Sequence, residues 1–274
     1  MGGGADPWSV FDAGCTGALM LYCRFKAEEV EGYGVVEQHE VWEVAPDIFS
    51  PFERTGRSFP LQEVRFLPPC QPSKIIAVGL NYKDHIQEFG RTEIPSEPVI
   101  FFKAPSAAIG PEESIVLPMG VSPVDYEGEM GVVIAKRGRH IAEAHALDYV
   151  LGCTCLNDVT ARALQKKDGQ WARAKSFDTF APMGPWIADG LPLNKLRVES
   201  YINGRVVQQS LTSQMIFSVP KLIAFISSVM TLLPGDIIST GTPKGVGPLH
   251  PGDVVEVFIE GVGRLRNPVA LEIR

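Results

Sequence analysis

The sequence predicts an α+β, β-rich chain in which strands outnumber helices and pair into a mixed, largely antiparallel sheet structure. Three observations predict it. Apolar bursts such as Val35-Val36 and Val41 to Val44 are short and separated by Gly, Asp and Pro. Asn203-Gly204 lies between Glu199-Ser-Tyr-Ile202 and Arg205-Val-Val-Gln208, and Asn and Gly tolerate the positive φ angles of a two-residue type I′ hairpin. Strand and helix patterns do not alternate steadily, which disfavours a doubly wound parallel fold.

The elements follow in order. Residues 1–70 read as a small strand-rich subdomain with bursts at Ala18 to Tyr22, Val35-Val36 and Val41 to Val44. Leu67-Pro-Pro-Cys-Gln-Pro72 places three prolines in five positions, which breaks regular structure and marks a linker. Residues 71–274 form the larger domain. Lys74 to Leu80 is a strand and Tyr82 to Phe89 a short helix, with further strands at Val99 to Lys103, Tyr126 to Lys136 and Tyr149 to Leu156. A helix over Val159 to Lys167 is expected to be capped by Asn157 or Asp158, whose side chains can accept the orphan amide hydrogens of a first turn. A longer helix starts at Ser218, with Pro220 near its first position, and runs to about Leu232. Leu233-Pro-Gly-Asp236 and His250-Pro-Gly-Asp253 read as generic turn chemistry rather than a duplication.

Composition narrows the function. A chain of 274 residues can bury roughly three quarters of its unfolded surface. The formal charge of −7 and the lack of a basic stripe disfavour nucleic acid and anionic membrane surfaces. Five cysteines, at 15, 23, 70, 153 and 155, are odd in number and lack finger spacing, so neither a disulfide framework nor a structural zinc site is indicated. The longest apolar stretches, such as Leu222 to Met230, fall far short of the about 20 residues of a membrane span, and Met1 to Phe25 has no basic leader. The expectation is a cytoplasmic protein with neither nucleic-acid nor membrane partners.

The run from Asp125 to Ile134 carries the strongest chemical signal. Glu127 and Glu129 stand at i and i+2 in an apolar strand, so they share one face while Met130, Val132 and Ile134 supply the other. Neighbouring buried carboxylates need cations, a shared proton or a metal ion. A half-exposed strand with two solvated glutamates would give the same spacing. Asp158, at a strand-to-helix junction, could complete an all-oxygen site suited to magnesium, manganese or calcium; its plainer role is the helix cap. His85 and Glu88, one helical turn apart, form either a base and its orienter or a chance surface pair. Arg162 and Gln165 lie beyond Asp158 on the expected helix, where a guanidinium would fork onto a substrate carboxylate or simply face solvent. Lys175, among Trp171, Phe177 and Phe180, either snorkels or holds an anion. Gly241-Thr-Pro-Lys-Gly-Val-Gly247 lacks the ending of a P-loop.

Taken together, six motifs in order resemble the fumarylacetoacetate hydrolase family from Lys74 to about Arg274. They are Gly79-Leu-Asn-Tyr-x-x-His85-x-x-Glu88, Phe102-Lys103-x-Pro105-Ser106, Tyr126-Glu127-x-Glu129, Asn157-Asp158-Val-Thr-Ala-Arg162-x-x-Gln165, Arg173-Ala-Lys175-x-Phe177-Asp178 and Ser239-Thr-Gly-Thr-Pro243. The resemblance implies a mixed β-roll, commonly a homodimer, with a small amino-terminal β subdomain. It implies ligation of magnesium or manganese, with calcium also suited, by Glu127, Glu129 and Asp158. It further implies catalytic roles for His85, Glu88 and Lys175, and substrate contacts from Arg162, Gln165, Thr242 and Lys103. The implied reaction is metal-dependent hydrolysis of a carbon–carbon bond in a small 2-oxo acid or 1,3-diketone acid of the acylpyruvate or fumarylacetoacetate type, through a metal-stabilised enolate. The same enolate serves oxaloacetate decarboxylation or isomerisation of 2-hydroxyhepta-2,4-diene-1,7-dioate. A metal-dependent dicarboxylate-binding module would need the carboxylates without the His85 and Glu88 pair. Ala163 departs from the family, in which an acidic residue often stands there, and this should alter a helix-surface contact more than the chemistry.

Overall fold

The computed structural model describes residues 19–88 and 93–273. Cys15, Ala18 and Phe89, named above, lie outside the described residues. A single twelve-stranded sheet runs through the protein. Along its main path lie Glu53–Pro60, Glu40–Ala45, Val30–Glu37, Leu21–Ala27, Ala181–Ala188, Val150–Asn157, Gly128–Ile134, Ile237–Ser239, Ile75–Gly79 and Val99–Lys103. Neighbours on this path are antiparallel except Ile237–Ser239 beside Ile75–Gly79, so the sheet is mixed and largely antiparallel, as expected. The amino-terminal strands join it edge to edge, with Leu21 opposite Ala188 and Tyr22 opposite Ile187. Residues 67–74 contain neither helix nor strand.

A second sheet of five strands, Arg205–Leu211, Arg197–Ile202, Val254–Ile259, Gly263–Leu271 and Ile115–Leu117, packs beside the first. The Asn203-Gly204 hairpin closes its edge, with Asn203 at φ 51°. The Val219–Val229 helix starts where its signals stand: the Ser218 hydroxyl accepts from the Lys221 amide, and Pro220 occupies the first turn. Its buried Val219, Leu222, Ile223 and Ile226 recur at helical spacing and press one stripe into the core. The two Pro-Gly-Asp turns share a bond, the aspartate accepting from the amide three residues earlier (Leu233 to Asp236, 2.7 Å; His250 to Asp253, 2.8 Å). Cys23, Cys70, Cys153 and Cys155 are buried free thiols.

Two expected elements differ. The strand over Tyr126 to Lys136 is two strands in two sheets. Val124–Tyr126 pairs with Thr160–Ala161 and Gly247–Pro248, whereas Gly128–Ile134 belongs to the large sheet. Glu127 stands at the break, where side chains replace ladder partners: its amide donates to Asn157 Oδ1 and that of Gly128 to Gln208 Oε1, each at 2.9 Å. The helix expected over Val159 to Lys167 begins only at Arg162, and neither Asn157 nor Asp158 caps it. Thr160 and Ala161 pair with Asp125 and Val124 instead, an extended conformation that suits β-branched Val159 and Thr160.

Candidate active site

Strand pairing assembles the acids. Gly128 lies opposite Asn157 and Glu129 opposite Leu156, so Asp158, one residue past its strand, comes beside Glu127, whose carbonyl accepts from the Asp158 amide at 2.8 Å. One carboxylate oxygen from each of Glu127, Glu129 and Asp158 lies within 4.8 Å of the others. All three residues are at most 5% exposed. Gly128 between the glutamates is required by close approach: a Cβ there would fall 2.0 Å from Ser200 Oγ.

Cations surround two of the three acids. Lys175 Nζ donates to Glu127 Oε2 (2.9 Å) and Asp158 Oδ2 (2.5 Å). Lys103 Nζ donates to the other Asp158 oxygen, Oδ1, at 2.5 Å, and to the Val159 carbonyl at 3.1 Å. Arg162 donates from Nε to Asp125 Oδ2 (2.9 Å), from Nη1 to Gln165 Oε1 (2.8 Å), and from Nη2 to Glu127 Oε1. Burial works against the Glu127 charge, yet Lys175 and Arg162 outweigh it and hold the carboxyl well below the usual range. Burial likewise opposes the Lys175 charge, but Asp158 and Glu127 keep its pKa above that of a free lysine. Lys103 goes the other way, lowered because burial outweighs the attraction of Asp158.

Glu129 has no such cation against it. Its Oε2 accepts from Ser239 Oγ and from the Gly241 amide (2.8 Å). Burial, with Asp158 and Glu127 nearby, pushes its carboxyl up to about 8. A divalent cation fits this arrangement: the donors are hard oxygens, they converge, and one of them needs positive charge to ionise.

Glu127, Glu129 and Asp158 line one cavity of about 370 Å³ with His85, Arg162, Gln165, Lys175 and Thr242. His85 reaches the cavity from the Lys83–Glu88 helix and is buried. Its Nδ1 lies 3.2 Å from Glu88 Oε2, and Glu88 Oε1 accepts from the Gly245 amide at 2.9 Å, which ties the short helix to the glycine loop. The Thr242 hydroxyl donates to the Gly128 carbonyl (3.0 Å) and accepts from Gln208 Nε2 (2.8 Å). Lys103 is not among the described lining residues. It is 1% exposed and its ammonium is held by Asp158 and the Val159 carbonyl. Ala163 is exposed, clear of the cavity.

The structure also adds residues. Asp125 anchors Arg162, Ser239 and Gly241 hold Glu129, Gln208 ties Gly128 to Thr242, and Phe101 lies against Lys175 with 4.8 Å from Nζ to the ring centre. Phe101 was legible in principle, because it stands two residues before Lys103 on one strand and so shares its face.

Residues 74–270 match the family model for the carboxy-terminal region of fumarylacetoacetate hydrolase, and residues 20–69 match an Rv2993c-like amino-terminal model. The chain belongs to the fumarylacetoacetate hydrolase family. Among its relatives, the mitochondrial oxaloacetate tautomerase Fahd2a of Rattus norvegicus is 45% identical over 77% of this chain and 71% of its own. Of solved structures, 2-hydroxyhepta-2,4-diene-1,7-dioate isomerase from Mycobacterium marinum superposes with a TM-score of 0.87 at 42% identity, over 93% of this chain and all of the other. Fumarylacetoacetate hydrolase from Exiguobacterium antarcticum gives 0.81 at 35%, over 92% of this chain and all of the other. Fumarylacetoacetate hydrolase family members are enzymes, and these three names span three reactions. No helix among the described residues is long and apolar enough to cross a membrane.

Proposed function

We propose that this chain is a magnesium- or manganese-dependent hydrolase that cleaves a carbon–carbon bond in a small 2-oxo acid of the acylpyruvate type. The observation that carries the reading is the convergence of three buried carboxylates with His85 in one cavity. When bound by Glu127, Glu129 and Asp158, the ion supplies Lewis-acid stabilisation of the negative charge that develops on the 2-oxo oxygen. Lys175 and Arg162 hold the acids in place, and Arg162, Gln165 and Thr242 border the space for the substrate carboxylate. Glu88 opposite Nδ1 favours the tautomer with the proton on that nitrogen, which leaves Nε2 to take a proton from water. Water activated there attacks the more distant carbonyl, and the bond from that carbon to the neighbouring methylene breaks. The enolate that leaves takes the proton back from His85, giving a carboxylic acid and a 2-oxo acid.

A second reading uses the same site without attacking water: proton transfer or decarboxylation of oxaloacetate, or isomerisation of a hydroxydiene-dioate. The 45% identity to an oxaloacetate tautomerase and the 42% identity to an isomerase favour it. Turnover of an acylpyruvate, oxaloacetate and 2-hydroxyhepta-2,4-diene-1,7-dioate, side by side with magnesium and manganese, separates the reactions. Oxalate, which copies the planar enolate of pyruvate, is expected to compete with any of these substrates. Absence of metal-dependent turnover on all three would leave a dicarboxylate-binding module or a different chemistry.

A further inference from the structure

The cavity's lining is of two chemical kinds. The acids, Lys175 and other polar groups make one part of its lining, and Val78, Leu80, Phe101 and Trp171 make the apolar part. Phe101 joins them. The Lys175 ammonium lies 4.8 Å from the centre of its ring, and Trp171 meets the same ring edge-on at 5.0 Å between centroids and 71° between planes. Trp171 packs against the end of the Ile75–Gly79 strand, where glycine is needed: a Cβ at position 79 would fall 2.9 Å from indole Cζ3. Both rings are half-buried while lining the cavity, so each presents apolar surface to whatever fills it.

We infer that the substrate carries an apolar group, aromatic or branched alkyl, on the side remote from its carboxylate, and that Phe101 and Trp171 are the specificity-determining wall that receives it. The inference rests on the 2-oxo-acid reading above. An acid head held at the carboxylate cluster beside Lys175 has Phe101 as its next neighbour and Trp171 beyond. A cavity of about 370 Å³ also exceeds what a two-carbon acid fills. A second carboxylate on this side would lose hydration against two rings that offer no charged donor. Lys175 and Arg162 are already bonded to the acids, and Lys166 sits exposed at the rim. An aromatic tail gains from area removed from water and from edge or offset ring contacts.

The test is competition binding with magnesium present, using oxalate, pyruvate, phenylpyruvate and 2-oxoglutarate against native protein, Trp171→Ala, Trp171→Phe and Phe101→Ala. Native protein is expected to bind phenylpyruvate about 10- to 100-fold tighter than pyruvate and tighter than 2-oxoglutarate. Trp171→Ala and Phe101→Ala should each lose about tenfold of the phenylpyruvate affinity, Trp171→Phe should recover part of what Trp171→Ala loses, and oxalate affinity should be the same in native protein and both Trp171 variants. Native preference for 2-oxoglutarate would overturn the inference in favour of Lys166 holding a second carboxylate. Equal weakening of oxalate and phenylpyruvate in Trp171→Ala would also overturn it, since the indole would then be shaping the acid site. If oxalate fails to bind native protein, the 2-oxo-acid reading falls and takes the wall with it, whereas oxalate binding without phenyl selectivity rejects the wall alone.

Discussion

Lys103 and Lys175 grip opposite oxygens of one carboxylate, Lys103 on Asp158 Oδ1 and Lys175 on Asp158 Oδ2, each at 2.5 Å. The two are not equivalent. Lys175 also reaches Glu127 and lines the cavity, while Lys103 lies behind Asp158 with the Val159 carbonyl as its other partner. Removing one member of a buried ion pair leaves charge uncompensated and typically costs about 3–5 kcal/mol. Lys103→Met should therefore lower stability by about that much in urea unfolding. Oxalate affinity of its folded fraction should fall less than that of Lys175→Met, and the opposite order would mean that Lys103 reaches the ligand.

Glu129 gives a prediction of opposite sign. Its folded-state carboxyl titrates near 8, above its unfolded value, so its burial costs stability as pH rises from the unfolded pKa through the folded one. Glu129→Gln keeps an oxygen to accept from Gly241 and Ser239 and carries no charge. In metal-free buffer at pH 8 to 9 the variant should melt at or above the temperature of native protein, while losing the rise in melting temperature that magnesium gives native protein by linkage. Thermal melts with and without magnesium decide this, and a variant that melts lower without metal and still responds to it would reject Glu129 as a ligand.

His85→Ala should lose hydrolysis by about 10²- to 10⁴-fold, the usual contribution of a general base. Magnesium and oxalate binding, measured by calorimetry, should persist, because Lys175 and Arg162 still hold Glu127. Glu88→Gln should also lower hydrolysis, because its one amide oxygen cannot serve both the Gly245 amide and Nδ1, and an NH2 facing Nδ1 favours the tautomer with the proton on Nε2. Equal hydrolysis rates in native protein and His85→Ala would remove His85 from the reaction.

What could be read in advance follows from how local each cause is. The hairpin at Asn203, the Ser218 cap and the two Pro-Gly-Asp turns depend on residues next to one another, and each stands where the sequence places it. The carboxylate triad was legible because strand period and a strand end are also local. The break at Glu127 was not, since it comes from Asn157 and Gln208, 30 and 80 residues away, replacing ladder partners. Asp158 was legible as a member of that cluster, but its ion pairs were not: a cap and an ion-pair acceptor look alike in sequence, and only the positions of Lys103 and Lys175 decide between them. Neither lysine's depth shows in its neighbours along the chain.

Gly128 offers the sharpest steric test, because the severe obstacle to a side chain there is one atom, Ser200 Oγ, with Gln208 Oε1 a lesser one at 3.3 Å. A Cβ would lie 2.0 Å from Ser200 Oγ but 3.4 Å from Ser200 Cβ. Gly128→Ala alone should destabilise by about 1–3 kcal/mol, as overpacking of a close-packed core does, and should displace Glu127 or Glu129 enough to weaken magnesium binding. Ser200→Ala removes the clashing oxygen at the cost of its 2.7 Å hydrogen bond to Gln208, and so should be mildly destabilising by itself. In the double variant the two effects should not add: the alanine at 128 meets the methyl at 3.4 Å and Gln208 Oε1 at 3.3 Å, and part of the stability and magnesium affinity should return as Gln208 gives way. Urea unfolding and calorimetry on the four proteins close the cycle, and simple additivity would show that the backbone, rather than the Ser200 hydroxyl, demands glycine between the two glutamates.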